Sequence, residues 1–402
     1  MQKIISGKDN NNIWSQQTLP QRINKMSIII KEIPAQKKQL QKFVDFGISL
    51  YKDNNCFVPP LVMDELNTLT SSNPAFDFCE SVYFMAFDEA TGKPMGRIAG
   101  IINNVTNEKY NERHVRFGFI DFIDDKAVSK ALIEAVENWG RKKGMNAIVG
   151  PLGFTDMDPE GMLIEGFDQI GTMATIYNYP YYQSHIESLG FEKEIDWVEF
   201  KINVPDSIPE KMSRIADIIR KKYNLSTPKY TNSKKLVADY GEAIFKLINE
   251  AYDPLYGYSP LTQKQIKHYI NMYLPILRLE NVCLITEESG ELVGVGITLP
   301  SMSRALQKSR GKLFPFGWWH LLKALRGKNN VIDLMLVAIK PEYQSKGVNA
   351  LLFADLIPAF IKNGYDYAES NPELEVNQKV QSQWQYFDTT QHKRRRAYKK
   401  SL

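Results

Sequence analysis

Val331-Ile-Asp-Leu-Met-Leu-Val-Ala-Ile-Lys-Pro-Glu-Tyr-Gln-Ser-Lys-Gly-Val-Asn-Ala-Leu-Leu-Phe353 is an apolar strand that stops at a Lys-Pro pair, crosses a short polar loop and resumes as an apolar-faced helix. Gln344 and Gly347 stand three residues apart at the helix entrance. The first N–H groups of a helix lack intrahelical partners and carry partial positive charge, so this entrance suits an anion such as a pyrophosphate.

The spacing Gln344-Ser345-Lys346-Gly347-Val348-Asn349 resembles the Q/R-x-x-G-x-G/A motif of the GNAT acyltransferase superfamily. In that family the loop grips the pyrophosphate of acetyl-CoA. The resemblance therefore implies that Gln344, Ser345, Lys346, Gly347, Val348 and Asn349 hold acetyl-CoA or another acyl-CoA as co-substrate. The last Gly/Ala position is Asn349, which sets a side chain where the family leaves room for the phosphates; its amide can donate a hydrogen bond instead. GNAT proteins splay their central strands to accept the pantetheine arm, which implies pairing with the backbone of Val337 and Ile339.

The flanking chain repeats one order of elements. Val82 to Asp88 and Met95 to Ile102 surround a Gly/Pro turn and make a hairpin; a strand at Val115 to Phe122, a helix at Lys126 to Lys143 and a strand at Ala147 to Val149 follow. A helix at Tyr181 to Leu189, ending in Leu-Gly-Phe as many GNAT domains do, and a strand at Ile195 to Ile202 close this half. In the second half Tyr240 to Tyr252 reads as a helix, and Val282 to Thr286 pairs with Leu292 to Leu299. After the opening stretch come a strand at Tyr365 to Ser370, a helix at Glu375 to Tyr386 and a short strand around Arg395 to Tyr398. The expected fold class is α/β (α+β): two tandem GNAT-like domains, each a mixed, mainly antiparallel sheet flanked by helices. The expected boundaries are a disordered leader at 1–26, an N-terminal GNAT-like domain lacking a CoA loop at 27–205, a linker at 206–227 and a C-terminal GNAT domain with the acyl-CoA loop at 228–402. In the first half the equivalent loop, Phe122 to Ala127, has no glycine, and Asp121, Asp124 and Asp125 would repel a pyrophosphate.

Composition narrows the classes. A chain of 402 residues suits two or three domains. No run approaches the roughly 18 to 20 apolar residues that cross a bilayer, and Met1 to Gln21 lacks the apolar core of a signal peptide, so a cytoplasmic location is expected. Cys56, Cys79 and Cys283 are far apart, and His114, His185, His268, His320 and His392 are scattered without ligand spacing, so neither a disulfide framework nor a metal is expected. A net charge of +4 does not imply nucleic acid, and the basic run Lys393 to Lys400 overlaps the expected last strand.

Acyl transfer to an amine requires a neutral nucleophile, a proton acceptor and a donor to the leaving thiolate. By the resemblance Glu369, at the carboxyl end of its strand, is a candidate base, and Tyr386 and Tyr398 are candidate thiolate donors; a solvated strand end and simple packing are the alternatives. Asn371, before Pro372, reads as a helix cap. In the long loop from Gly150, Asp156 and Asp158 beside Tyr177, Tyr179 and Tyr182 can form a pocket for a cationic amine, or a turn-rich cover over the sheet. The segment 301–328 interleaves basic and aromatic residues with no acid, which suits a membrane interface or a lid. The expected function is CoA-dependent N-acylation of an unidentified amine, with N-acetylation what the resemblance implies. The alternatives are a non-catalytic acyl-CoA-binding or membrane-associated scaffold and an acyltransferase acting on a lipid.

Overall fold

Strand β1 (Ile28–Glu32) lies antiparallel on β2 (Cys79–Asp88), which turns back into β3 (Pro94–Asn103). The computed structural model describes residues 27–273 and 276–402; the leader expected at 1–26 lies outside them. Helices α1 (Lys37–Leu50) and α2 (Val62–Thr68) connect β1 to β2, and α3 (Asn104–Tyr110) connects β3 to β4 (His114–Phe122). Asp125 caps α4 (Lys126–Lys142) by accepting from the Ala127 amide at 2.7 Å. Val128, Leu132 and Val136, four residues apart, turn one face of α4 onto the sheet. Full burial of each such side chain stabilises the fold by about 2 kcal/mol. Then come β5 (Ala147–Gly150), β6 (Met162–Glu165), α5 (Tyr181–Ser188) and β7 (Glu192–Asn203).

The second half begins with α6 (Glu210–Tyr223), α7 (Ser233–Tyr252) and α8 (Gln263–Tyr273), followed by β8 (Val282–Thr286) and β9 (Leu292–Pro300). A helical hairpin, α9 (Ser303–Ser309) and α10 (Gly317–Arg326), precedes β10 (Val331–Ile339). Helix α11 (Asn349–Asn363), β11 (Tyr367–Ser370), β12 (Glu373–Leu374), α12 (Gln378–Gln381) and β13 (Thr389–Ser401) complete the chain. In place of the helix expected at Glu375 to Tyr386 there is one α turn and a 3-10 stretch, Ser382–Tyr386; of the apolar positions Val376, Val380 and Trp384 the structure buries Trp384 and leaves Val376 exposed, so the stripe is not used as one helix face. The last strand is longer than expected.

Its length serves the sheet. The strand order is β1-β2-β3-β4-β5-β13-β7-β11-β10-β9-β8. The last strand of the chain pairs with β5 of the first half, and β7, which ends the first half, pairs with β11 of the second. Each half is thus completed by the other's closing strand, in one continuous ladder. Period-two alternation along β13 divides its charges between the two faces. Arg394 and Arg396 meet Asp196 at 3.1 and 2.7 Å, while Lys393 and Arg395 meet Glu199 at 3.0 and 2.5 Å. The terminal basic run is consumed by β7.

Candidate functional site

After β10, Pro341–Tyr343 makes a 3-10 turn, and Ser345 (φ +61°) and Gly347 (φ +79°) adopt the left-handed conformation before α11 begins. Glycine bears that geometry without strain, whereas Ser345 costs on the order of 1 kcal/mol. Among the described residues the amides of Ser345, Gly347 and Val348 have no hydrogen-bond partner, and the Lys346 ammonium hangs 5.3 and 5.0 Å from the rings of Tyr223 and Tyr343. Free amides at a helix entrance beside an exposed cation fit a pyrophosphate. The Gln344 side chain turns inward, donating to the Ile339 carbonyl at 3.0 Å, and Asn349 donates to Gln383 Oε1 at 3.2 Å. Backbone, not these two side chains, forms the seat, and the Asn349 amide is drawn aside from the helix mouth.

Strand β10 runs parallel to β11 only from Val331 to Leu334. Beyond a bulge at Met335 it keeps β9 alone as partner. The Lys340 amide donates to Val293 on the β9 side at 2.9 Å, so the alternate residues Val337 and Ile339 turn their backbone groups to the open side. The central strands are splayed where the motif required. Tyr252, at the end of α7, donates to the Val337 carbonyl at 3.0 Å. Burial raises its hydroxyl to about 12, and nearby Glu373 adds to that rise. Burial likewise pushes the Glu373 carboxyl to about 8, against the opposing effect of the Trp384 indole N–H, which donates to it at 3.0 Å. Asn371 reaches across the parting to donate to the Met335 carbonyl at 2.6 Å, so it bridges strands instead of capping a helix. Beside the splayed end is a depression of about 500 Å³ lined by Asn249, Glu250, Asp253, Pro260, Lys340, Pro341 and Glu342.

On the sheet face toward the long loop lies a buried cluster of charge. Glu369 accepts from His392 Nε2 at 2.7 Å, and Lys393 Nζ stands 2.5 Å from the same oxygen. Neighbours on a regular strand point to opposite faces. A bulge between Gln391 and Lys393 brings both side chains to Glu369, as bulges do where a side chain must be re-aimed. Burial alone would lower the Lys393 ammonium, but Glu199 and Glu369 outweigh it and hold it above its ordinary value. Asp333 lies opposite Glu369 in the ladder and is 3% exposed. Among the described residues neither of its carboxylate oxygens has a hydrogen-bond partner; the Ser301 hydroxyl beside it donates to Ser303 instead, at 3.2 Å. Burial, and then Glu369, push this carboxyl up to about 7. Gly166 (φ +85°) presses on the His392 carbonyl, and any Cβ there would collide with it. The α9–α10 hairpin covers the same region with Met302, Leu306 and Leu321, packed with Leu299, Met173 and Met335.

The other expected site residues fall elsewhere. Tyr398 is buried in the core of the first half, its hydroxyl donating to Glu187 at 3.2 Å, remote from the phosphate loop. Tyr386 packs on α6 with Lys211 over its ring at 4.8 Å. The acids and tyrosines of the long loop do not converge. Asp158 accepts from the amides of Phe154 and Thr155 at 2.8 and 3.1 Å, which is turn-making, while Asp156 accepts from the distant Ser259 amide at 3.0 Å and among the described residues leaves its other oxygen buried without a partner. Tyr177 donates to Phe167, Tyr179 to Leu50, and Tyr182 shares a 2.8 Å hydrogen bond with Tyr51. His392, Asp333, Tyr252 and Glu373 were missed. A histidine one residue before a buried lysine carries no spacing signal, since the bulge that unites them is a tertiary feature.

Sheet order, splay and loop define a tandem GNAT-like fold. A tandem GNAT protein from the clavulanic acid biosynthesis pathway superposes with a TM-score of 0.55 at 11% identity, covering 93% of this chain and 98% of that one. A GCN5-related glucosamine N-acetyltransferase region of a fungal multi-domain β-N-acetylglucosaminidase gives 0.52 at 12% identity over 94% of this chain and 38% of that one. No family model matches the sequence. The chain is similar to Protein YghO of Escherichia coli, 28% identical over 372 residues (91% of this chain, 94% of that one). It is also similar to a bacterial ceramide synthase of Caulobacter vibrioides, 26% identical over 388 residues (94% and 98%).

Proposed function

We propose that this chain transfers an acyl group from acyl-CoA to the amine of a lipidic, long-chain acceptor. The reading rests on His392, aimed by its bulge at Glu369 next to the unpartnered Asp333 and beneath an apolar cover. Similarity to a ceramide synthase supports the acceptor class, because a ceramide is the amide of a long-chain amino alcohol.

Bound acyl-CoA would supply the activated acyl carbon, its pyrophosphate on the amides of Ser345, Gly347 and Val348 of the second half. The protein's part is to hold the amine and move its proton. Glu369 is pinned by Lys393 and His392, so it orients the imidazole instead of acting as the base. With Nε2–H given to Glu369, His392 Nδ1 carries the lone pair and is then the proton acceptor. Asp333 offers acceptors to the amine or to a neighbouring hydroxyl. Tyr252, on the splay, is the donor to the leaving thiolate, the task expected of Tyr386 or Tyr398. A cytoplasmic site, where acyl-CoA is made and used, completes the proposal.

Thermal unfolding with CoA and with palmitoyl-CoA tests the donor. A ligand at about a hundred times its dissociation constant adds about 2.7 kcal/mol. Gly347→Glu should abolish that gain, by placing a carboxylate at the phosphate seat. Amide formation on a long-chain amino alcohol, compared with short amines, then tests the acceptor. No stabilisation by either thioester or CoA removes the donor reading; equal use of short amines removes the lipidic one.

A further inference from the structure

The hairpin α9–α10 is apolar on two sides. Met302, Leu306 and Leu321 are buried against the body. The hairpin is fastened there by Gln307, which donates to the carbonyls of Asn55 and Phe57 at 2.8 and 2.9 Å, and by Ser303, which donates to Gly171 at 2.9 Å. Its tip does the opposite. Phe314 is 78% exposed, Phe316 71%, Trp318 46% and Trp319 55%. Rings held in water on an otherwise anchored element mark a surface that meets something else.

Charge identifies the partner. Arg304, Lys308, Arg310, Lys312, Lys323, Arg326 and Lys328 are all exposed, none makes an ion pair among the described residues, and 301–328 contains no acid. A surface of cations around solvent-facing tryptophan and phenylalanine matches anionic headgroups above acyl chains. No helix of the described residues is long and apolar enough to span a bilayer, so the contact is peripheral. We propose that the tip Phe314 to Trp319 inserts into the interface of an anionic membrane while the surrounding lysines and arginines hold phosphate headgroups. Because the inner side of this hairpin covers the Asp333–His392 region, a docked tip would open that region toward the lipid.

The test is flotation with vesicles of phosphatidylcholine alone and with about a third phosphatidylglycerol. The protein should float with the anionic vesicles at low salt, stay behind with the neutral ones, and be released as salt rises. Replacing Phe314, Phe316, Trp318 and Trp319 by serine should abolish flotation with the melting temperature nearly unchanged, since these rings are largely exposed and the contacts of the tryptophans, to each other and to Pro315, stay within the tip. Replacing Lys308, Arg310 and Lys312 by serine should weaken it on the order of a hundredfold. No flotation, or flotation unchanged in the aromatic variant, overturns the proposal. So does self-association that the aromatic variant relieves, which would make the patch an interface between copies. His392→Ala should float as the wild type does, so loss of the transferase reading and loss of this one are separable.

Discussion

Each half holds a buried charge cluster, on β3 and β4 in the first and on β10, β11 and β13 in the second, and one is closed while the other is not. In the first half Arg97 lies 2.6 Å from Glu65 and 2.7 Å from Asp121, and Tyr51 donates to the remaining Asp121 oxygen at 2.7 Å. In the second half Lys393 and His392 satisfy Glu369, but among the described residues neither oxygen of Asp333 beside it has a well-formed hydrogen bond, only the nearby Ser301 hydroxyl and the Lys393 charge. A buried carboxylate without a partner costs free energy that a closed cluster avoids. The helix entrances differ as well: Asp125 caps α4 in the first half, whereas the entrance of α11 leaves amides free among the described residues. The contrast separates a fully paired use of buried charge from one that leaves a carboxylate without a hydrogen-bond partner among the described residues.

The sharpest break in that comparison comes from His392. His392→Ala should lower turnover by about 10² to 10⁴ while leaving CoA stabilisation intact, because proton removal and donor binding are distinct tasks. Activity within twofold of wild type would place the base elsewhere. Arg97→Met is the counterpart in the closed cluster. It strands Glu65 and Asp121 and should destabilise the protein by about 3 to 5 kcal/mol in denaturant unfolding, with turnover per folded molecule unchanged.

How much of this was legible follows from range. The tandem GNAT fold could be read because its signals are local: the Gly-Pro hairpin turn, the four-residue stripe of α4, and a strand-loop-helix with glycine at 347. The exchange of β7 and β13 between halves could not, since period-two alternation sets which face a residue takes and not which strand lies beside it. The overlap of the C-terminal basic run with a last strand was legible, but its acid partners were not, since they lie some two hundred residues away on β7. The pairing of His392 with Glu369 depends on a bulge, and the expected convergence of Asp156 with the tyrosines failed because Ser259 of the other half claims Asp156.

Asp333 gives a pH signature of its own: burial also raises the carboxyls of Glu65 and Asp121 in the closed cluster, but there Arg97 opposes the rise. The ordinary value of Asp333, 3.8, is raised to about 7 in the fold. Below about pH 4 both states are protonated and nothing is lost. As pH climbs from 4 to 7 the unfolded chain releases this proton first, so stability falls, by on the order of 4 kcal/mol in all, and levels off above 7. Asp333→Asn removes that slope. Measured by urea unfolding at pH 4 and pH 8, the variant should gain on wild type at the higher pH by up to this amount. An unchanged difference between the two pH values would mean that Asp333 has a partner after all.

The smallest effect is expected at Tyr398, and its smallness is informative. Its hydroxyl sits 3.2 Å from Glu187 in the core of the first half, with burial holding the phenol well above its usual range. Tyr398→Phe keeps the ring and loses one hydrogen bond, a cost of about 0.5 to 1.5 kcal/mol in unfolding. Turnover should not change, because the residue touches neither the splay nor the His392 cluster. A fall in turnover beyond tenfold, with stability nearly kept, would carry the chemistry across β5 into the first half and erase the distinction between the closed cluster and the open one.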